Sequence, residues 1–414
     1  MLNIHETTLP NGLRVVLQPD TGVPLVGVSL LYDVGSRVET PGCSGFAHLF
    51  EHLMFQGSEH VAKGEFIRRI QGWGGSVNGM TGKERTTYYH SLPSHQFALG
   101  LWLEADRMRS LRLAADSFEA QRSTVLEERL ERVDNSPYGE ANVRIAEMSY
   151  TDFAYAHPVI GYREDLERAS LEDVEDFHRT WYGPNNAVLA MAGDFEVDAA
   201  LDAVHDYFGV IPSRGARPAL RIEDTPRMLP VAERMVDAQT SMPALFVNHP
   251  VVPYGNPDFY AYEVIETLLF RGPSSRLNQR FVIQDRSAIK VQGGYEAHRG
   301  PSVFSLFAVL PEGGDTGALA AGYASELERL AREPVGVDEL ERVQNRLRAG
   351  RSFGRQSLIS RANGLGRAVL YHSDARWEEH YLERILRVGP EDILRVAARD
   401  FDPNASVSLG VHPS

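Results

Sequence analysis

Cysteine is almost absent from this sequence of 414 residues, which contains only Cys43. An internal disulfide is therefore impossible, and an intracellular, cytoplasmic location is the simpler expectation. Long apolar runs are also absent, so we expect no segment that crosses a bilayer and no membrane partner. The opening residues, MLNIHE, lack the basic start and the apolar stretch of a secretory signal, and no such signal is expected.

Positive charge is in deficit, because 42 lysines and arginines stand against 56 aspartates and glutamates and leave a net charge of −14. Nucleic acid is therefore not expected as a partner, since phosphate binding needs a basic surface. An acidic cavity that favours basic peptides is compatible with this charge, but a soluble acidic surface explains it more simply.

The composition is that of a globular protein, with 43% hydrophobic and 24% charged residues, and the length suits two or more domains. Apolar or β-branched stretches bounded by turn residues predict strands at 13–17, 25–32, 187–192 and 244–247 and a strand pair within 77–92. Apolar periodicity and capping signals predict helices near 45–55, 66–72, 96–109, 116–133, 262–270, 318–332 and 338–353.

An internal repeat relates the two halves of the chain. Residues 48–57, HLFEHLMFQG, align with residues 263–272, EVIETLLFRG, at an offset of 215, and both histidines are replaced in the second copy. A second match further along places Gly350 opposite Glu128. The halves therefore look like two copies of one fold, of which only the first carries metal-ligand chemistry.

A Pro- and Arg-rich passage at 211–218 interrupts the pattern and is the predicted linker. We accordingly predict an α+β protein of two homologous domains, residues 1–215 and residues 228–414. Each domain is expected to be a largely antiparallel sheet backed by helices.

The clearest chemical pattern is the run His48-Leu49-Phe50-Glu51-His52. Histidines at i and i+4 of a helix lie on one face, about 6 Å apart, and can reach one metal ion together. Imidazole suits zinc, and a catalytic zinc site has three protein ligands and one open position. Glu51 lies on nearly the same face and can act as a general base without being a ligand. This is the inverted order of the H-E-x-x-H metalloprotease motif.

Further motifs accompany this helix in order along the first half of the chain. They are GSRVE at 35–39, GFAHLFEHLMFQGS at 45–58, GSVNGMT at 75–81, TTYY at 86–89, DNSPYG at 134–139 and YGPNNA at 182–187. Together they closely resemble the pitrilysin and mitochondrial-processing-peptidase family of zinc metallopeptidases. The resemblance covers nearly the whole first half and, more weakly, the second.

The resemblance implies one zinc ion per chain, with His48, His52 and a later helical glutamate as ligands. Glu128 lies 76 residues after His52 and fits that third position. Its neighbour Glu127 is the rival, because helical periodicity alone does not separate the two, and we expect Glu127 to be the exposed one. The resemblance also implies that Asn78 and Gly79 lie on an edge strand that pairs with a peptide substrate.

Two positions depart from the family pattern. The family carries a second glutamate seven residues before the ligand glutamate, where this chain has Gln121, which is expected to lie near the metal as a neutral group. Self-sufficient members also have an arginine and a tyrosine, seven apart, in the second half. The alignment puts Val282 and Ile289 at those positions. Arg280, Arg286 and Tyr295 lie nearby but fit only if the register is shifted.

A chain without this pair resembles the zinc-bearing subunit of a bacterial heterodimeric family member. In such a heterodimer the homologous partner supplies the arginine and the tyrosine. The sequence thus predicts a zinc-dependent endopeptidase that cleaves extended peptides inside a dimer chamber, with a homodimer as the other arrangement. The main alternative is a non-catalytic assembly subunit that retains the fold, and a protein that only captures peptides is a third.

Overall fold

The strands form two sheets with helices on both faces of each. The structure is a computed structural model that describes residues 3–216, 218 and 230–414. The strands are β1 (His5–Thr8), β2 (Arg14–Pro19), β3 (Leu25–Tyr32), β4 (Ser76–Thr81), β5 (Thr86–Pro93), β6 (Ala187–Gly193), β7 (Val231–Asp237), β8 (Ala244–Val251), β9 (Lys290–Glu296), β10 (Ser302–Val309) and β11 (Val407–Pro413).

The helices carry most of the remaining chain. They are α1 (Phe46–Leu53), α2 (Glu65–Gly72), α3 (Phe97–Ser110), α4 (Ala115–Arg129), α5 (Gly139–Ser149), α6 (Phe153–Ala156), α7 (Arg163–Arg168), α8 (Leu171–Trp181), α9 (Val197–Phe208), α10 (Phe259–Phe270), α11 (Thr316–Arg332), α12 (Val337–Gly354), α13 (Leu358–His372), α14 (Trp377–Arg387) and α15 (Pro390–Asp400). Short 3-10 turns occupy Ser36–Val38, Ser94–Gln96, Pro184–Asn186 and Pro403–Ala405, and π-helical turns occupy Leu130–Asp134 and Asn278–Gln284.

The two sheets repeat one topology. The first has the order β1-β2-β6-β3-β5-β4, and the second has the order β7-β11-β8-β10-β9. The pairs β2–β6 and β7–β11 are parallel, and the other pairs are antiparallel. Without β1, the first order maps strand by strand onto the second. The predicted fold class, α+β with two homologous and largely antiparallel sheets, is therefore confirmed.

Two compact units share the chain in alternating segments. Unit 1 comprises residues 1–127, 158–220 and 351–381, and unit 2 comprises residues 128–157, 221–350 and 382–414. The linear limits 1–215 and 228–414 follow the sequence repeat and stay a prediction as domain boundaries. Their starting positions, 1 and 228, and residue 217 of the predicted linker lie outside the described residues.

Each sheet is covered on one face by a helix from the other half of the sequence. Helix α13 packs against β2, β3 and β6 of the first sheet, where Leu365 and Val369 join Leu31 and Ala190 in one apolar cluster. Helix α5 packs against β7, β8 and β11 of the second sheet. The local apolar pattern of such helices predicts that one face is buried, but not against which sheet.

The opposite face of the first sheet supports the helix that carries the histidines. Val28, Leu30 and Tyr32 of β3 point into a core that also contains Leu101 of α3 and Phe50 of α1. Because side chains alternate along a strand, Gly27, Ser29 and Leu31 lie on the other face of β3, which is buried against α13, and the strand lies between two helical layers. Helix α1 packs directly against β4 and β5 in this layer.

No described helix of the chain is both long enough and apolar enough to cross a membrane.

Glycine at position 27 allows the close contact between β3 and α13. A Cβ atom there would lie 2.7 Å from the carbonyl carbon of Leu358 and 2.8 Å from the amide nitrogen of Ile359. Both atoms belong to backbone, so Gly27→Ala should lower the free energy of unfolding by about 1–3 kcal/mol. Denaturant unfolding measures this, with Gly72→Ala as the control because a Cβ at Gly72 meets nothing within 4 Å. Equal stability of the two variants would contradict the packing.

Candidate metal centre

Helix α1 is fixed at its N-terminus by a buried carboxylate. Its N-cap, Gly45, has φ of +87°, and a Cβ there would lie 2.6 Å from the carbonyl oxygen of Ile160. The carboxylate of Glu39 accepts hydrogen bonds from the amides of Gly45 and Ala47, each at 2.8 Å. A negative charge at this end also complements the helix dipole. The orientation of α1 is therefore set before any ligand binds.

The middle of α1 is held in place by a hydrogen bond from the sheet. The hydroxyl of Tyr88 on β5 donates to the carbonyl oxygen of Phe50 at 3.1 Å, and Tyr88 is fully buried. Leu49, Phe50 and Leu53 enter the core, which turns the face with His48 and His52 away from it. The two imidazole rings lie with centroids 5.0 Å apart and planes at 77°. His48 is buried and His52 half-buried.

The structure brings Glu128 to the two histidines. One ligand atom from each of His48, His52 and Glu128 can be chosen so that all three lie within 4.8 Å of one another. Glu127, the rival, is exposed, whereas Glu128 is half-buried. Within the described ranges no other group of His, Cys, Asp and Glu side chains meets this criterion. The role of these residues as ligands stays a prediction, but the geometry distinguishes Glu128 from its neighbour.

The donor set fits zinc. Two imidazoles and one carboxylate are ligands that zinc binds at about 2.0–2.2 Å, which puts tetrahedral donors roughly 3.3–3.6 Å apart. The observed separations need to shrink by little more than about 1 Å, which rotation of the side chains supplies. Three protein donors also leave a fourth coordination position available.

Glu128 lies in the last turn of helix α4, and a π-helical turn follows it directly. Arg132 in that turn forms an ion pair with Glu128 at 2.6 Å, and the side chain of Arg132 is 72% exposed. Arg129 is buried and lies 3.3 Å from Asp134 and 3.5 Å from Glu140. Single π-helical turns occur often at functional sites, where they change the direction of neighbouring side chains.

Gln121, on the same helix, is half-buried. Its expected position close to the metal stays a prediction.

Glu51 lies directly beside strand β4. The hydroxyl of Thr81 donates to Oε2 of Glu51 at 2.6 Å, and a Cβ atom at Gly79 would lie 2.9 Å from Cγ of Glu51. Alternation along β4 puts Gly79 and Thr81 on this same side. The missing side chain of Gly79 thus lets the strand approach the glutamate, and Thr81 orients its carboxylate.

Strand β4 is the edge of the first sheet. It pairs with β5 on one side, with Asn78 opposite Tyr89 and Gly79 opposite Tyr88, and the described residues place no strand on its other side. Asn78 is exposed, and its Oδ1 accepts from the amide of Gly79 at 2.9 Å. The predicted edge position of these two residues agrees with the structure, while their contact with a peptide is untested.

A further histidine close to α1 is unsuited to binding a proton. Burial and, to a smaller extent, the nearby positive charge of Arg214 together lower the pKa of His178 to about 4. Its ring stacks on Phe50 with centroids 5.6 Å apart. His178 is therefore a neutral aromatic surface beneath α1 and does not belong to the ligand group.

In the second half, the structure shows what surrounds the two positions where the family has an arginine and a tyrosine, and what surrounds the nearby arginines and tyrosine. Ile289 is 50% exposed, and Val282 is half-buried within a π-helical turn. The hydroxyl of Tyr295 donates to the carbonyl oxygen of Val252 at 2.7 Å, and Arg280 donates to the carbonyl oxygen of Gly322 at 3.0 Å. Arg286 is exposed and has φ of +52°. Tyr295 and Arg280 thus already have structural hydrogen bonds.

Sequence reasoning missed three residues that position the site: Glu39, Thr81 and Tyr88. Each lies inside a stretch whose family resemblance was recognised, but no role was inferred for it. Alternation along β4 could have identified Thr81, because it lies two residues beyond Gly79. Glu39 and Tyr88 act through backbone atoms of α1, and no local pattern predicts such contacts.

Replacing the two adjacent glutamates separately tests the ligand assignment. Glu128→Gln should lower zinc affinity at least about ten-fold, because it removes a charged donor. Glu127→Gln should leave affinity unchanged, since that side chain is exposed. Equilibrium dialysis followed by elemental analysis measures the bound zinc. Equal losses in both variants, or a loss only for Glu127→Gln, would contradict the geometry.

Two family models match the chain and together span most of it. Residues 14–161 match the model described as insulinase (peptidase family M16), and residues 168–347 match the model described as peptidase M16 inactive domain. The second region is the half in which the aligned histidines are replaced.

Similar proteins extend this result over the full length. Zinc protease PqqE of Helicobacter pylori is 29% identical over 433 residues, covering 99% of this chain and 93% of that protein. An uncharacterized zinc protease of Mycobacterium bovis is 31% identical over 400 residues, covering 95% and 90%. The crystal structure of a protease from Helicobacter pylori superposes with a TM-score of 0.96 at 26% identity and covers all of both chains. The resemblance read from the motifs is thus confirmed: this chain belongs to peptidase family M16.

Proposed function

We propose that the chain is a zinc-dependent endopeptidase that cleaves extended peptides. Its relatives carry the name zinc protease. The observation that supports the proposal is the arrangement of His48, His52 and Glu128 as one donor group, with Glu51 on the same helix as the histidines. A cytoplasmic location is part of the proposal and rests on the single cysteine.

One zinc ion per chain would be held by the two imidazoles and the carboxylate. When bound, it supplies Lewis-acid chemistry, which polarises a carbonyl and makes water acidic near neutral pH. The protein contributes the geometry: the cap provided by Glu39 and the hydrogen bond from Tyr88 hold α1 in place.

Glu51 acts as the general base. Its carboxylate accepts the proton of the attacking water and then gives that proton to the amine that leaves. The hydroxyl of Thr81 holds one carboxylate oxygen, Oε2, at 2.6 Å and so orients the group. Glu51 lies on the same helix as the two histidines, three residues after His48, and is not itself part of the ligand group.

The peptide binds along β4 by adding a strand to the edge of the first sheet. Backbone pairing of this kind recognises extended conformation and reads side chains only weakly, so a broad range of peptides is expected. Gly79 brings that strand against Glu51, which puts the bound backbone close to the general base.

Glu51→Gln should reduce peptide hydrolysis by at least about 10²–10⁴-fold while zinc content stays the same, because the amide cannot accept the proton. The measurement is cleavage of a mixed pool of unstructured peptides, with elemental analysis of the same sample. Glu59→Gln, an exposed position, serves as the control. Residual turnover near that of the unmodified protein would remove Glu51 from the role.

A homologous subunit is proposed as the partner. The alignment leaves Val282 and Ile289 where an arginine and a tyrosine would be needed, so a second, homologous chain would supply them in a heterodimer. A homodimer, in which neither copy has the pair, is the other arrangement. The purified chain alone should hold zinc but cleave the peptide pool at least about ten-fold more slowly than it does with its partner. Full zinc-dependent, chelator-sensitive cleavage by the lone chain as a monomer would exclude this arrangement.

A non-catalytic assembly subunit is the second candidate. It is favoured by the description of the model that matches residues 168–347 as an inactive domain, and by Gln121 in place of a glutamate. The complete donor group in the first half supports the peptidase instead. A purified chain that binds no zinc under any condition would favour the assembly role.

A further inference from the structure

One segment of the second half has a charge opposite to that of the rest of the chain. Residues 342–373 contain seven arginines and no aspartate, glutamate or lysine. Since the whole chain has a net charge of −14, the remainder carries −21 against the +7 of this segment. We name residues 342–373 the arginine segment. A positively charged segment in an otherwise acidic chain is typical of a recognition surface, because its electrostatic potential attracts negatively charged partners and repels positively charged ones.

The part of this segment that ends α12 and leads to α13 is open to solvent. Every residue of 345–357 is exposed except Leu347 and Arg351, which are half-buried. Helices of globular proteins ordinarily bury an apolar stripe, and a helix end that is polar and exposed around its circumference has no such role. Its sequence is therefore not explained by packing within this chain.

Some of the positive charge is neutralised inside the protein. Four arginines have carboxylate partners, in the pairs Arg342–Glu339, Arg351–Glu378, Arg361–Asp20 and Arg367–Glu378. Arg351 and Arg367 share the single carboxylate of Glu378, whose side chain is only 5% exposed. The acids thus balance only part of the charge of the arginine segment.

The remaining charge is directed to solvent. In the ranges that the structure describes, Arg346 and Arg355 are exposed and form no ion pair. Arg348, also exposed, donates to the neutral side chain of Asn345 at 3.0 Å. Arg346 and Arg355 thus offer their charge to a ligand, and arginine binds carboxylates in bidentate geometry.

An aromatic side chain lies among these arginines. Phe353 is 69% exposed, although a phenylalanine is usually buried. A Cβ atom at Gly350 or Gly354 would meet nothing within 4 Å, so the backbone on both sides of Phe353 is accessible. Aromatic residues, including phenylalanine, and arginine are both enriched in the cores of protein interfaces.

We propose that residues 345–357 form a docking surface for an acidic stretch of the peptide substrate. The carboxylates pair with Arg346 and Arg355, and an apolar side chain beside them packs on Phe353. Since the substrate is a peptide only if the chain is a peptidase, this inference rests on the proposed function. It deepens that function by giving the enzyme a preference for peptides with acidic residues outside the cleaved bond.

A short acidic peptide fits this surface better than the other anionic partners. Nucleic acids and anionic membranes present charge over wide areas and would also face the acidic remainder of the chain, which repels them. A peptide needs to cover only the arginines and Phe353. The negative charge of the rest of the chain adds to the specificity of this surface, because it repels acidic peptides from other sites.

Binding of labelled peptides to the full-length Glu51→Gln protein tests the proposal without turnover. Two peptides of equal length are compared by fluorescence anisotropy, one with glutamates around a phenylalanine and one with lysines in place of the glutamates. The acidic peptide should bind at least roughly ten-fold tighter at low ionic strength, and the difference should shrink in high salt. Arg346→Glu/Arg355→Glu should abolish the preference, and Phe353→Ser should weaken binding of the acidic peptide.

The matched control is Arg332→Glu/Arg387→Glu, which reverses two arginines of 74% and 73% exposure outside the segment. It should keep the preference. Arg346→Gln/Arg355→Gln gives the same answer if the charge-reversed variant fails to fold. Equal affinity for both peptides, an unchanged preference in the double variant, or binding of RNA or phosphatidylserine vesicles in place of the peptide would overturn the docking surface. Acidic-peptide binding by a chain that never cleaves would instead overturn the peptidase and leave the surface intact.

Discussion

Burial of strand β3 on both faces is the constraint on which the first unit depends. One face supports α1 and α3, and the other contacts α13 so closely that Gly27 has no room for a side chain. With the sheet fixed between two helical layers, α1 has one available orientation, and its polar face lies against the edge strand β4. The cap by Glu39 and the bond from Tyr88 complete this placement. The placement of the candidate metal ligands His48 and His52 thus depends on how the sheet is buried.

Much of this could be read from the sequence. Period-two and period-3.6 patterns located the strands and helices that carry His48, Glu51 and Gly79, because those patterns are local. What could not be read was contact between distant segments. The apolar face of α13 predicts burial but not that β3 is its partner, and helical spacing alone did not separate Glu128 from Glu127. Contacts between residues far apart in the sequence decide the partner of α13 and the choice between the two glutamates. A single sequence shows only the local patterns of each segment.

The second half retains the same framework with different chemistry. Glu266 occupies the repeat position of Glu51, and Gly294 passes it closely, as Gly79 passes Glu51. Here, however, the carboxylate of Glu266 accepts from Arg271 at 2.7 Å and from the amide of Tyr295 at 3.1 Å. The glutamate proposed as the base in the first copy thus corresponds to a structural anchor in the second. In the second copy, the replacement of the two histidines goes together with different partners for the glutamate.

The exchange of covering helices between the two halves has a consequence for synthesis of the chain on the ribosome. Strand β6 completes the first sheet at residue 193, but α13, which covers its second face, begins only at residue 358. During translation of the intervening residues, Leu31, Val188 and Ala190 belong to a sheet face that has no cover. The first unit can be finished only near the end of synthesis, so a nascent chain carries an apolar surface that chaperones would recognise.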